Sequence, residues 1–261
     1  MLICTLGDLL LDVIVRPEAP LAPDGDVPAV TRAAPGGQAA NVAAWAVSLG
    51  ARARVICKRG DDEAGALVTA EVERHGVEVR GPVVPGRSGV VVSLVDGDGR
   101  RTMVSDRGVA PELNEIDQAW LEGCDVLHVS GYSLLREPIA RAALAAARLA
   151  PRVSVDLSSA PDIRAFGVER FRAVLEELGP DLVFANEDER DAVGDLDASW
   201  VVKLGGRGAV FPEGERAARA VEVVDATGAG DALAAGYLVG GPEVALDAAA
   251  RCVGRMGAMP W

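Results

Sequence analysis

Only two lysines, Lys58 and Lys203, occur in this chain of 261 residues, and aromatic side chains make up 4% of it. Lys plus Arg number 26 against 39 Asp plus Glu, a net charge of -13. So acidic a chain is a poor match for the phosphate backbone, which argues against nucleic acid as a partner. The four cysteines, Cys4, Cys57, Cys124 and Cys252, lie far apart, with no CxxC pair and no histidine at metal-ligand spacing. That pattern excludes a zinc or disulfide scaffold and points to a reducing, cytoplasmic location. No uncharged apolar run approaches the ~18 residues that span a bilayer, so no membrane partner is expected. The opening MLICTLGDLLLDVIV carries no basic leader and is broken by Asp8 and Asp12, so it reads as a buried strand and its continuation rather than a signal sequence. There is no GxxxxGK[ST] loop, which excludes a Walker-type ATPase. Neither His75 nor His128 stands in a Ser, Cys or carboxylate pattern that implies a hydrolase.

What is present is an alternation. Short β-branched runs take turns with Ala-rich amphipathic stretches, which predicts an α/β fold wound around a largely parallel sheet. Strands are expected at 2–6, 54–57, 126–129, 153–156, 182–185 and 201–204, and helices at 40–49, 64–75, 137–149 and 168–178. Each strand ends at Gly, Ser, Asp or Asn, and ligands of open α/β sheets bind beyond those carboxyl ends. Two segments, 12–33 and 89–106, break the rhythm; the second, GVVVSLVDGDGRRTMVSD, reads as a hairpin about Asp96-Gly97-Asp98-Gly99. Together they would form a small β lid inserted into a single domain spanning 1–261, with a surface flap of no binding role as the open alternative.

Chemistry concentrates in VEVVDATGAGDALAAGYL, residues 221–238, expected to be a strand entering Gly228-Ala229-Gly230 and then a helix from near Asp231. Small residues let the backbone approach a ligand closely. The first amides of the helix lack internal partners and lie at the positive end of its dipole, an anion hole for developing phosphate charge. Asp231 at its mouth can orient a substrate hydroxyl and accept its proton. A plain glycine-rich turn with Asp231 as cap is the structural alternative. Further upstream, Gly36-Gly37-Gln38-Ala39-Ala40-Asn41 places a glycine turn before a helix. The turn can lie against a polyol, and Asn41 can donate to and accept from its hydroxyls. Asp8 and Asp12 are carboxylates able to fix a polyol, with a turn or cap role equally open for Asp8. Asn186-Glu187-Asp188-Glu189 suits water-mediated Mg2+ through Asn186 and Glu189, and equally a helix cap with Asn186 at N-cap and Glu189 at N3.

These motifs resemble those of the ribokinase-like, or PfkB, carbohydrate kinases. The C-terminal signature of that family is close to Asp-Thr-x-Gly-Ala-Gly-Asp, and here it reads Asp225-Ala226-Thr227-Gly228-Ala229-Gly230-Asp231, departing at Ala226. Its N-terminal signature matches the Gly36–Asn41 run, followed by Gly50 and Gly60 at the family spacing, and its N-x-x-E motif matches Asn186 and Glu189. The resemblance runs from Gly7 to Pro260. It implies a three-layer α/β/α sandwich, ATP and Mg2+ as cofactors, and Asp231 as catalytic base beside the Gly228, Ala229 and Gly230 anion hole. It further implies substrate contacts from Asp12, Gly36, Gly37 and Asn41, and a monovalent cation such as K+ beside Asp225. VVKLGGRGAV, residues 201–210, resembles the stretch that runs along the nucleotide, which assigns Lys203, Gly205 and Gly208 to nucleotide binding together with Thr227. AARCVGRMGAMPW resembles the last helix and the loop under the adenine, which adds Gly257. Relatives often continue past the position of Trp261, which implies a trimmed nucleotide pocket. Arg107, at the end of the expected lid, can clamp a phosphate or a substrate acid.

The function expected is thus ATP-dependent phosphorylation of a hydroxyl on a sugar-like small molecule. Gln38 stands where ribokinases proper often carry Lys, and VVKLG is similar to the keto-deoxygluconate kinases. A nucleoside kinase of the same fold is the alternative, although aromatic residues for stacking are sparse; a catalytically silent sugar- or nucleotide-binding regulator is another. The lids of such kinases often pair, and the β-branched run 89–95 offers a homodimer contact.

Overall fold

The computed structural model describes residues 1–96 and 101–261. The chain opens with β1 (Leu2–Leu6), β2 (Leu10–Pro17), β3 (Ala29–Gly36) and α1 (Gln38–Ser48), then β4 (Arg52–Ile56), β5 (Arg59–Gly60), α2 (Glu63–Arg74), β6 (Val77–Arg80) and β7 (Val83–Val84). A hairpin pairs β8 (Ser88–Val95) with β9 (Arg101–Gly108); the expected Asp-Gly-Asp-Gly turn falls at 96–99, largely outside the described residues. Next come β10 (Val126–Ser130), α3 (Ile139–Ala147), β11 (Val153–Asp156), α4 (Ala160–Phe166), α5 (Val168–Leu178), β12 (Leu182–Asn186) and α6 (Glu187–Val193). The chain closes with β13 (Ser199–Lys203), β14 (Ala209–Phe211), β15 (Gly214–Arg216) and α7 (Ala229–Val253), whose helical geometry is interrupted at Gly240-Gly241 ahead of Pro242.

Nine strands form one sheet in the order β15-β14-β13-β12-β11-β10-β1-β4-β6. It is parallel from β13 to β6, and only the β13-β14-β15 edge is antiparallel. Buried strands of a parallel sheet are apolar on both faces, because helices cover both. Accordingly Leu182 and Phe184 of β12 pack with α1, α2 and α7 on one side, while the alternating Val183 and Ala185 pack with α3, α4, α5 and α6 on the other. The result is a three-layer α/β/α sandwich. β1 lies between β4 and β10, where the winding reverses direction, so its carboxyl end faces the natural ligand crevice of such a sheet.

A second sheet, β3-β2-β8-β9, joins two antiparallel pairs through a parallel β2–β8 contact. Its strands lie within or beside the two segments that interrupt the βα rhythm of the sequence.

One expected element is absent. Residues 221–224 form no strand; Val221, Val223 and Val224 are 43%, 64% and 46% exposed, and the segment is tied down where the amides of Val224 and Asp225 donate to the Val253 carbonyl. The β-branched run VEVV matches a strand in propensity, but it pairs with no described strand, and propensity without a pairing partner does not make a strand.

Candidate active site

The carboxyl ends of the parallel strands open onto a cavity of about 860 Å3, bounded also by the second sheet and by the start of α7. Asp8, just past β1, Asp12 in β2, Gly37 and Asn41 at the start of α1, and Arg107 in β9 line it, opposite Thr227, Gly228 and Asp231.

Gly228, in the left-handed region at φ 73°, is the N-cap of α7. A Cβ here would sit 2.5 Å from the Cβ of Ala258, so the turn has room only for glycine. The amide of Ala229 makes a long 3.4 Å bond to the Ala226 carbonyl, whereas those of Gly230 and Asp231 have no acceptor among the described residues. These are the unpaired donors that a helix start leaves for an anion. Asp225 stabilises the turn from below: its Oδ1 accepts from the Thr227 amide and hydroxyl, both at 2.7 Å, and its Oδ2 accepts from the Gly257 amide at 2.9 Å.

Asp231 is 9% exposed, and burial pushes its carboxyl up to about 7. Asn41, whose Nδ2 donates to Oδ2 at 2.7 Å, opposes that shift; nearby Asp156 adds to it, and Lys203 and Gln38 oppose it. Desolvation thus outweighs the hydrogen bonds, leaving a carboxylate basic enough to take a proton near neutrality.

Gly37, the N-cap of α1 at φ 97°, packs so close to Asp8 that a side chain would strike the Asp8 backbone. Gly36 stands directly over Asp12, and a Cβ there would fall inside the Asp12 carboxyl group. The glycine pair therefore makes room for two carboxylates. Arg107 grips Asp8 with both ends of its fork, Nε to Oδ2 at 2.7 Å and Nη2 to Oδ1 at 2.8 Å, and its Nη1 donates to the Tyr132 carbonyl at 3.2 Å. Asp8 is thereby the arginine's anchor.

The remaining expected residues lie beyond the cavity wall, along β12 and β13. Asn186 and Glu189 form a complete capping box: Asn186 Oδ1 accepts from the Glu189 amide, and Glu189 accepts from the Asn186 amide and side chain, all at 2.8 Å. Glu189 is 2% exposed, and its carboxyl is raised by burial against the pull of Lys203. Lys203 is no solvated lysine. Its side chain is 17% exposed and its Nζ lies 2.9 and 2.7 Å from the two carboxylate oxygens of Asp156. Gly205 and Gly208 shape the turn that follows, closed by a 2.8 Å bond from the Leu204 amide to the Gly208 carbonyl. Among the described residues, no cluster of three or more His, Cys, Asp or Glu is arranged to hold a metal.

Sequence reasoning missed Asp156, Ser158, Tyr132, Arg136 and Phe166, all in or against the site. The one available signal was position, since Asp156 ends the strand Val153–Asp156 on the edge where ligands bind. Gln38 also gains a place: its Oε1 accepts from the hydroxyls of Ser130 and Ser158, each at 2.6 Å, while its side chain reaches Asp231.

Comparison with known proteins places the chain and its fold. A family model described as pfkB family carbohydrate kinase matches residues 1–252. An ATP-dependent ribose-1-phosphate kinase from Halopiger xanaduensis is 34% identical, over 98% of this chain and 93% of its own. Probable fructokinase-5 from Arabidopsis thaliana is 26% identical, over 91% and 82%. Among solved structures, the adenosine kinase from Sinorhizobium meliloti superposes with a TM-score of 0.85 at 25% identity, covering 99% of this chain and 95% of that one. A putative ribokinase II from E. coli does so with a TM-score of 0.84 at 21%, over 98% and 94%, which establishes the fold as ribokinase-like. With two signatures meeting at one cavity and a family match across nearly its whole length, the chain belongs to the pfkB family of carbohydrate kinases, phosphotransferases with an alcohol group as acceptor.

Proposed function

We propose that this protein transfers the γ-phosphoryl group of ATP to a hydroxyl of a sugar or sugar-like molecule, with Asp231 as the base. The observation that carries this reading is a single buried carboxylate, raised to about 7, that faces a large cavity from the first turn of a helix with two unbonded amides.

In the mechanism, Asp12, Gly37 and Asn41 hold the acceptor against Asp231, with Gly36 leaving the space that the Asp12 carboxyl needs. Asp231 takes the hydroxyl proton as the oxygen attacks phosphorus, and the Gly228-Ala229-Gly230 turn, with the unpaired amides of Gly230 and Asp231, receives the charge that develops on the phosphoryl oxygens. Lys203, Gly205, Gly208, Thr227 and Gly257 are assigned to the nucleotide side. Mg2+ is commonly bound through phosphates and water, and Asn186 and Glu189, oxygen donors at the carboxyl end of β12, would orient those waters. When bound, the ion would neutralise phosphate charge. A potassium site beside Asp225 belongs to the same reading; that carboxylate already takes three hydrogen bonds, so the comparison of turnover in KCl and NaCl is its direct test.

The second sheet is assigned the role of a lid over the acceptor, excluding water from transfer. Val92 of β8, half-buried, pairs with Val104 of β9, 60% exposed, on the face of that sheet turned away from the cavity, and this pair gives the run 89–95 an apolar surface for a homodimer, to be checked by sedimentation. Four buried free thiols fit a reducing cytoplasm.

A nucleoside is the second acceptor class that an observation favours. Tyr132, 36% exposed, and Phe166 line the cavity, an aromatic wall on which a base can stack, despite the low aromatic content of the chain. ADP release measured across sugars, sugar phosphates, sugar acids and nucleosides separates these classes. Asp231→Asn should then reduce turnover on the preferred acceptor by about 100-fold to 10,000-fold while acceptor binding persists. A variant with near-normal turnover removes Asp231 from the mechanism. Binding without turnover across the whole panel would instead identify a silent regulator.

A further inference from the structure

Resting on the phosphoryl-transfer reading, one buried ion pair beneath the anion hole acquires a role of its own. Lys203 ends β13 and Asp156 ends β11, with β12 between them, yet the Lys203 ammonium reaches across to both Asp156 oxygens at 2.9 and 2.7 Å. Asp156 is 1% exposed, too deep to bind an acceptor itself. Its Oδ1 also accepts from the Ser158 amide at 3.0 Å. Ser158 has a φ of 71°, uncommon for a residue with a side chain, and its hydroxyl reaches Gln38, which in turn reaches Asp231. On its other side the Lys203 Nζ lies 3.4 Å from where a Cβ on Gly230 would stand, so the ammonium touches the first turn of α7 one residue before the base.

That placement sets up a conflict. A buried ammonium this close to the base is attracted to it, and full pairing would neutralise the group that must take a proton. We propose that Asp156 is a positioning residue: it holds the Lys203 ammonium beneath Gly230, where it meets an oxygen of the transferring phosphoryl group, and keeps it from closing onto Asp231. Gln38 and Asn41 from α1, Asp156 from β11 and Lys203 from β13 act most strongly on Asp231, and Tyr132, Arg136 and Arg107, the last held by Asp8, line the same cavity. Of the groups that act most strongly only Lys203 is cationic, so the fate of its charge governs the base.

Because the chain has two lysines, the ammonium can be watched directly. In resting protein labelled with 13C-lysine, Lys203→Met assigns the Lys203 Cε signal. Asp156→Asn should shift that signal and make it follow pH through the Asp231 titration. This readout needs no turnover, so it remains decisive even if the kinase reading fails; lack of turnover by the unmodified protein would sink that reading alone. In kinetic assays Asp156→Asn should lower kcat by about tenfold or more, with acceptor KM moving less than about threefold. The acid limb of kcat/KM should move to lower pH in Asp156→Asn and to higher pH in Lys203→Met. In a Lys203→Met background, adding Asp156→Asn should change kcat by less than about twofold. An unmoved Lys203 signal, or a kcat loss equally large in the Lys203→Met background, overturns the proposal. Asp156→Asn strands a buried ammonium, so circular dichroism accompanies it. Should it not fold, Asp156→Glu takes its place, because one extra methylene pushes the ammonium toward Asp231: a shifted Lys203 signal supports the assignment, and an unshifted one refutes it.

Discussion

Asn41 donates its Nδ2–H to Asp231 Oδ2 at 2.7 Å, joining residues 190 positions apart. This one hydrogen bond couples the two glycine-rich signatures, because Asn41 lies in the first turn of α1 and Asp231 in the first turn of α7. Asn41 Oδ1 is buried and has no partner among the described residues, leaving an acceptor beside the base. The pairing also opposes the effect of burial on Asp231.

Removing it should be visible as a change in basicity. In Asn41→Leu, Asp231 loses a donor to its charged form and its proton affinity rises further. The acid limb of the kcat/KM profile should move to higher pH, and turnover should fall by about tenfold at pH 7 and recover toward pH 9. A fall of equal size at every pH would mean that Asn41 serves acceptor binding alone.

The unmodified protein should itself lose kcat/KM as pH drops through about 7, where protonation removes the base. The same group sets a stability trend of opposite sense to the usual aspartate. Its native value of about 7 lies above the ordinary aspartate value of 3.8, so the folded state binds the proton more tightly, and this residue's contribution falls as pH rises from about 4 to 7. Asp231→Asn should therefore melt several degrees above the unmodified protein at pH 8, with the gap closing toward pH 4. Identical melting curves at both pH values would show that the carboxyl is not raised.

The layer architecture and the two signatures could be read from residue order, because βα alternation and glycine turns are local properties. Leu2–Leu6, Val153–Asp156 and Val168–Leu178 fall where periodicity places them. Residues 221–224 do not, since a strand needs a neighbour and propensity does not supply one. The Asp156–Lys203 pair spans 47 positions and two strand spacings, so nothing near either residue announces the other. Arg107 and Asp8, 99 positions apart, were each visible as a charge but not as a pair.

That pair predicts a split kinetic effect. Arg107→Ala leaves Asp8, at 10% side-chain exposure, without its cationic partner at the cavity wall. Acceptor KM should rise by about tenfold or more with a smaller change in kcat, and Arg107→Lys should recover little, because a point charge cannot match a bidentate fork. An unchanged acceptor KM in Arg107→Ala would remove this arginine from acceptor binding.

Gly36 and Gly37, adjacent in sequence, should fail in different ways when replaced by alanine. At Gly37 the new Cβ would press on the Asp8 backbone, 2.8 Å from its carbonyl carbon, and the residue already sits at φ 97°. Backbone cannot rotate aside, so Gly37→Ala should lower stability by about 1–3 kcal/mol and reduce soluble yield. At Gly36 the neighbour is instead the Asp12 carboxyl group, a side-chain end rather than backbone. Gly36→Ala should therefore melt close to the unmodified protein yet bind its acceptor more weakly, with ATP affinity unchanged. Calorimetry of both variants, paired with titration of acceptor and of ATP, distinguishes the two. Equal destabilisation of both variants, with acceptor affinity intact in Gly36→Ala, would mean that Asp12 does not hold the acceptor from this position.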